Sequence, residues 1–222
     1  MDRAAENDLA ISNEELLDLC VGQDQEALRL LLRRHERSVY SLLYRMLNNP
    51  EDAEEALAEV FVKVWRGAAG FKRDAKFTTW LFRIASNTAR DFLRSRKSRP
   101  EVSIDDTVLA ETNMGLSLCS NTPDPEKSAI AADDRAQLTR AMWNLSDEDR
   151  LLIELYHIQE RDYDEIEQIT GIPASNLKVK LFRARQRLKK LCAEQERSDI
   201  SDEMRRSTAE SSGLQPGTAE YA

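Results

Sequence analysis

Apolar positions along this chain recur every third or fourth residue in one stretch after another, the period of helices that bury a single face. Leu28, Leu31, Leu32, His35, Val39, Leu42, Leu43 and Met46 form one long stripe, which ends at the breaker "NNP". Asn49 followed by Pro50 then predicts a helix start, a cap residue before proline at the first helical position. The helix it opens turns Ala53, Ala56, Leu57, Val60, Phe61, Val64 and Trp65 inward. A third helix begins near Phe77, with Phe77, Leu81, Ile84, Ala85 and Thr88 on one face and Trp80, Arg83, Asn87, Arg90, Arg94 and Lys97 on the other. Further along, Leu151, Leu152, Leu155 and Tyr156 mark a helix, Ile166 and Ile169 a short one, and Gly171 a turn. After that turn "IPASN" caps a helix whose apolar face is Leu177, Leu181, Ala184 and Leu188. The pattern predicts an all-α chain.

Periodicity fails in two places. The stretch around "SLCSNTPDP" holds two prolines and no sustained repeat, and the carboxyl end runs through "SSGLQPGTAEYA", rich in small polar residues. The organisation read from this is a polar amino-terminal segment over 1–23 and a helical domain over 24–97. A flexible acidic linker over 98–125, a second helical domain over 126–192 and a disordered tail over 193–222 follow.

Charge sharpens that division. The chain of 222 residues carries a formal net charge of -8, which argues against a nucleic-acid partner until its distribution is considered. From Pro100 to Asp134 there are eight acids and one base, and from Ala193 onward seven acids and three bases. The acid therefore lies in the connector and the tail, and the remaining segments are left at +3. Cys20, Cys119 and Cys192 are far apart, and His35 and His157 have no neighbouring ligands, so neither a metal site nor a cofactor is expected. The opening "MDRAAENDLA" has no basic start and no apolar run, so no signal peptide or membrane span is expected and a cytoplasmic address follows.

Three surfaces remain to be explained. Asp52, Glu54, Glu55 and Glu59 crowd the outer face of the second helix, more acid than one helix dipole needs, which suits a docking face. The Trp80 stripe joins an aromatic ring to basic side chains, a combination suited to unpaired bases and backbone phosphate. The last helix carries Lys178, Lys180, Arg183, Arg185, Arg187, Lys189 and Lys190 without one acid, and it follows a short acidic helix across a glycine turn. That is the layout of a helix-turn-helix and its recognition helix. On the helical wheel Ser175, Val179, Phe182, Arg183 and Gln186 lie opposite the buried stripe, with Lys178 and Arg185 on the flanks.

"NNPEDAEEALAEVFVKVWRGAAGFKRDAKFTTWLFRIASNTARDFLR" resembles region 2, and "LSDEDRLLIELYHIQERDYDEIEQITGIPASNLKVKLFRARQRLKK" resembles region 4, of the extracytoplasmic-function sigma factors of bacterial RNA polymerase. The resemblance implies a protein that binds core polymerase, recognises the -35 and -10 promoter elements, opens the duplex and catalyses nothing. It implies contacts from Asp52, Glu54, Glu55 and Glu59 to the clamp of the largest subunit, and from the second domain to the flap of the second largest. Phe77, Trp80, Arg83, Asn87, Arg90 and Arg94 are assigned by it to the -10 element and strand separation. Ser175, Lys178, Val179, Phe182, Arg183, Arg185 and Gln186 are assigned to the -35 element, and an anti-sigma factor joins the expected partners. Ala58 stands where the family commonly has glutamine, which removes a polar docking contact. Glu167 stands where the family usually has alanine, and so long an acid is expected to turn outward or pair with a recognition-helix base. Two other readings remain open at this point, a helix-turn-helix regulator and a sigma-like decoy for an anti-sigma factor.

Overall fold

The structure is a computed structural model that describes residues 11–98 and 136–212, with side chains as far as 198. The acidic linker, Cys119, the first ten residues and the chain beyond Ser212 lie outside the described residues. Every regular element described is helical: α1 (Asn13–Val21), α2 (Gln25–Leu47), α3 (Pro50–Gly67), a 3₁₀ turn (Ala68–Gly70) and α4 (Phe77–Ser98). The second part holds α5 (136–143), α6 (Asp147–Ile153), a π-helical turn (Glu154–Ile158), α7 (Tyr163–Thr170) and α8 (Ala174–Ser212).

Local chemistry sets most boundaries. Asp24 caps α2 through Glu26 and Ala27, and Asn48 ends it in the left-handed region at φ 53°. Asn49 accepts from the backbone of Asp52 with Pro50 at the first position of α3, as the sequence predicts. Gly171 closes α7 at φ 74° with its N–H returned to the Glu167 carbonyl.

Two expectations change. The first 23 residues include more than a polar leader: Ser12 and Glu15 form a reciprocal capping box, and α1 buries Leu16, Leu17 and Cys20 against α2. At the other end α8 runs on to Ser212, past residue 193 where a disordered tail is predicted. Between Ala174 and Ser212 there is neither glycine nor proline to stop it, and Lys190 and Glu194 pair one turn apart at 3.6 Å.

One apolar core runs through both parts of the chain. α2, α3 and α4 pack on one another through Val39, Leu42, Val60, Val64, Leu81 and Phe82, and the same cluster continues into Leu151, Leu152, Leu155, Ile166, Leu177 and Leu181. A smaller cluster joins Met142, Leu145 and Ile153 to Ala184, with Leu188 and Leu191 against it. Where the two parts meet, α7 lies on α4 and α6 touches α2. Arg150 is buried at that junction. Its Nη1 donates to the Met46 carbonyl at 2.8 Å, its Nε to Met142 at 3.1 Å, and its Nη2 to Trp143 and Leu145 at 2.8 and 3.0 Å. Beside it Glu154, fully buried, faces Arg45 of α2 at 3.3 Å and accepts from Gln159 Nε2 at 3.0 Å. Burial pushes that carboxyl upward, against the pull of Arg45 and Gln159. The guanidinium of Arg161 sits 4.5 Å above the Phe82 ring.

His35 packs against Phe77, 5.5 Å between ring centroids. Burial, then the charges of Arg34 and Arg161, push its imidazole down to about 4, with Glu14 opposing. An unfolded histidine takes up its proton near pH 6.5, so this contribution to stability is complete above that pH and is lost as the pH falls towards 4. His35→Phe keeps a ring against Phe77 and cannot titrate. The drop in melting temperature between pH 7 and pH 4.5 is therefore smaller for this variant than for the parent, and equal drops in thermal scans would contradict it.

Candidate nucleic-acid interface

On α4 the amphipathic division predicted from the sequence holds on one face. Leu81, Phe82, Ala85 and Ala89 are buried, and Arg83, Asn87 and Arg94 are exposed. Asn87 Oδ1 accepts from Arg90 at 3.2 Å, and Arg94 lies 3.4 Å from Asp91. Arg90 is half-buried. Two aromatic residues depart from expectation. Phe77, assigned to the DNA face, is 1% exposed and belongs to the core, because the first turn of α4 is pressed between His35 and Phe71. It supports the face and does not form it. Trp80 is half-buried: its indole rests on Phe71 at 5.1 Å and Phe77 at 6.0 Å.

Gly67 makes that placement possible. A Cβ there would meet the indole Cζ2 at 3.0 Å, so the end of α3 is cut back where Trp80 lies across it. Gly67 and Phe71 were not visible as parts of the face in the sequence, since their role is to shape the bed of a residue on another helix.

The acidic face of α3 is as the sequence predicts it in outline. Glu54, Glu55 and Glu59 are exposed, Glu59 pairing with Lys63 at 2.7 Å. Asp52 is half-buried and 3.6 Å from Arg96. Val62, 46% exposed, continues the same face one turn beyond Ala58 and Glu59 and adds an apolar contact that the sequence pattern had not singled out.

α8 follows its predicted wheel closely. Leu177, Leu181 and Ala184 are buried, while Ser175, Lys178, Val179, Phe182, Arg183, Arg185 and Gln186 are exposed. Val179 at 50% and Phe182 at 59% are large apolar groups that nothing among the described residues covers. Flanking bases are tied down by α6: Lys180 pairs with Glu148 and Arg187 with Asp149. Arg185 donates to His157 Nε2 at 2.9 Å and stacks over Tyr156, and burial and that guanidinium hold His157 below its usual range. The start of α8 differs from expectation. Ser175 and Asn176 lie inside the first turn, and Glu167 neither turns outward nor meets a base: its Oε2 accepts from the Ala174 N–H at 3.0 Å. Across the junction, Lys97 and Lys76 at the two ends of α4 meet Asp147 at 2.8 Å and Glu165 at 3.1 Å.

Among the described residues no cluster of histidine, cysteine and carboxylate groups could hold a metal ion, and no helix is long and apolar enough to cross a membrane. The arrangement is instead a pair of basic helices, each presenting aromatic or apolar side chains beside its charges, with an acidic face on a third. Such faces bind backbone phosphate through charge and bases through stacking and groove contacts.

Comparison with known proteins agrees with this layout. Residues 31–99 match the family model for sigma-70 region 2, and residues 135–188 match that for sigma-70 region 4. The ECF RNA polymerase sigma-E factor of Escherichia coli (strain K12) is 30% identical over 176 residues, covering 79% of this chain and 92% of that protein. The RNA polymerase sigma-H factor of Pseudomonas aeruginosa is 25% identical over 181 residues, 80% of this chain and 92% of that protein. Among solved structures, CnrH in complex with the cytosolic domain of CnrY superimposes with a TM-score of 0.60 at 20% identity, over 82% of this chain and 97% of that one. The sigma factor RpoE in complex with the anti-sigma factor NepR from Bartonella quintana gives 0.52 at 19% identity, over 72% and 92%. With both regions in order on one chain and a relative matched over nearly its whole length, this protein belongs to the extracytoplasmic-function sigma factors of the sigma-70 family.

Proposed function

We propose that this sigma factor divides its work among the three faces described above, with 24–97 and 126–192 as its working domains. The acids of α3, the exposed Glu54, Glu55 and Glu59 with the half-buried Asp52, dock on the clamp of core RNA polymerase, with Val62 extending the contact one turn further. Trp80 stacks on an unpaired base of the -10 element while Arg83, Asn87, Arg90 and Arg94 follow the phosphates of the melted strand. The outer face of α8 enters the major groove of the -35 element, where Arg183 reads a guanine edge and Val179 and Phe182 meet thymine methyls. The observation that carries this reading is the exposure of Val179, Phe182 and Arg183 together on a helix that buries Leu177, Leu181 and Ala184 on its opposite face.

The chain acts by binding, and the chemistry stays with the polymerase, in the cytoplasm. An anti-sigma factor is proposed as a further partner because both CnrH and RpoE, of like fold, are in complex with such a protein or a cytosolic domain.

Reading both elements at once requires the two domains to part. Elements centred near -35 and -10 are about 25 base pairs apart, roughly 85 Å at 3.4 Å per step. The packed arrangement of α4 on α7 places both faces on one compact body. Engagement therefore breaks the Arg150 and Glu154 contacts to α2.

Three outcomes check this reading. Glu54→Lys with Glu55→Lys lowers affinity for core polymerase by about tenfold or more at low salt and leaves the melting temperature unchanged, since both acids are exposed; unchanged affinity in a titration would remove the docking role. Arg183→Ala costs about 1–3 kcal/mol on a cognate promoter in transcription assays with core polymerase and relaxes preference at one -35 position. A uniform loss across all -35 variants would show that Arg183 does not read a base. A zero-length carbodiimide cross-link forms between Lys97 and Asp147, 2.8 Å apart, in the protein alone and disappears once it is bound to core polymerase and promoter. Persistence of that peptide in the complex, by mass spectrometry, would mean that the domains stay packed.

A further inference from the structure

Five helices carry their own amino-terminal cap: Ser12, Asp24, Asn49, Ser146 and Asp162 each accept from a backbone N–H of the turn that follows. α4 and α8 are built differently. The residues just before them are Lys76 and Pro173, and neither side chain has an oxygen to offer. Their carbonyls do open the helices, accepting from Trp80 and Leu177 at 3.2 Å each. The first N–H of each helix is met from elsewhere. Phe77 N donates to Glu14 Oε1 of α1 at 3.0 Å, and Ala174 N donates to Glu167 Oε2 of α7 at 3.0 Å.

A cap on the residue before a helix constrains only that helix's first turn. A carboxylate borrowed from another helix also fixes the angle between the two. Both carboxylates that accept in these caps are themselves anchored. Glu14 sits on α1, whose Leu16, Leu17 and Cys20 are in the core, and Glu167 sits between the buried Ile166 and Ile169. At the second site the turn is closed as well, with Ile172 N donating to Thr170 Oγ1 at 3.2 Å and Gly171 N to the Glu167 carbonyl at 2.7 Å. The two helices capped in this way are the two whose outer faces carry the aromatic and basic side chains.

We propose that Glu14 and Glu167 are positioning residues for promoter reading, each setting from a neighbouring helix the direction in which one DNA-reading helix presents its side chains. This rests on the assignment of α4 to the -10 element and α8 to the -35 element. Glu167 thereby acquires a role of its own at a position where the resemblance leads one to expect alanine. A purely stabilising cap lowers activity on every promoter by one factor. A positioning cap changes which bases are preferred, because base-edge contacts fail with small changes of angle whereas phosphate contacts tolerate them.

The test uses the full chain with core polymerase and promoters randomised at the -35 or the -10 element. Glu167→Ala loses about tenfold of the discrimination at -35 positions and none at -10. Glu14→Ala does the converse and gives fewer open complexes by permanganate reactivity. Glu14→Gln and Glu167→Gln keep an oxygen acceptor and stay within about twofold of the parent in preference. Should an alanine variant fail to fold, Glu14→Asp or Glu167→Asp takes its place, too short to reach the same N–H. The inference is overturned if the alanine variants reduce all promoters by the same factor, or if the glutamine variants are as impaired as alanine. Arg183→Ala, run in parallel, separates the two levels. A change of base preference there without one in Glu167→Ala removes the positioning role of Glu167 alone, and no change in either removes the placement of α8 in the groove.

Discussion

Arg150 is the group on which the arrangement of this molecule turns. Helix carboxyl ends leave carbonyls without partners and carry partial negative charge. α2 and α5 end beside one another at the junction of the two parts of the chain, and a single guanidinium answers both, with Met46 on one side and Met142, Trp143 and Leu145 on the other. Arginine suits this place because its donors lie in a fixed planar fork, where lysine offers one point of charge. Arg45 and Glu154 add a buried ion pair a short distance away, and the π-helical turn brings Gln159 back to share the carboxylate. Buried charge of this kind contributes little net stability but makes alternatives costly, since any other docking strands a charge or a carbonyl without a partner.

Around that junction the acids and bases are sorted by role. Asp147 and Glu165 meet Lys97 and Lys76 at the two ends of α4, while Glu148 and Asp149 meet Lys180 and Arg187 on the flank of α8. Pairs as exposed as Lys97 with Asp147 are worth at most about 1 kcal/mol each. Their effect is on distribution. The bases at the edges are matched, and the side chains left facing water, Arg83 and Asn87 on α4 and Val179, Phe182 and Arg183 on α8, are those with the chemistry to meet nucleic acid. The two pairs that cross the junction, Lys97 with Asp147 and Lys76 with Glu165, are weak enough for polyanionic DNA to replace.

Much of this is legible in the sequence. The face of α8 followed from period alone, because Leu177, Leu181 and Ala184 are in step and a helix cannot bury one side without exposing the other. The acidic outer face of α3 and its start at Asn49 came from the same local rules. Failures had local causes too. α1 is short, so two turns of apolar residues gave too little pattern to separate from a polar leader. Phe77 shares its end of α4 with Trp80, and the sequence cannot say that His35 and Phe71 close over one ring and leave the other half open.

What the sequence determined by itself was helical class, the order of elements and the inward face of each long helix, all set by interactions between residues within one or two turns. What only the tertiary structure decided were contacts between residues far apart in the chain: Arg150 with Met46, Arg45 with Glu154, the indole of Trp80 over Gly67, and Glu14 at the start of α4. Even Glu167, seven residues from its partner, belongs here, because its target is a backbone N–H across a turn and not a side chain that a wheel displays. Periodicity records which side of a helix avoids water. It holds no record of which other helix will arrive there, or of the unpaired backbone groups that the arrival must satisfy.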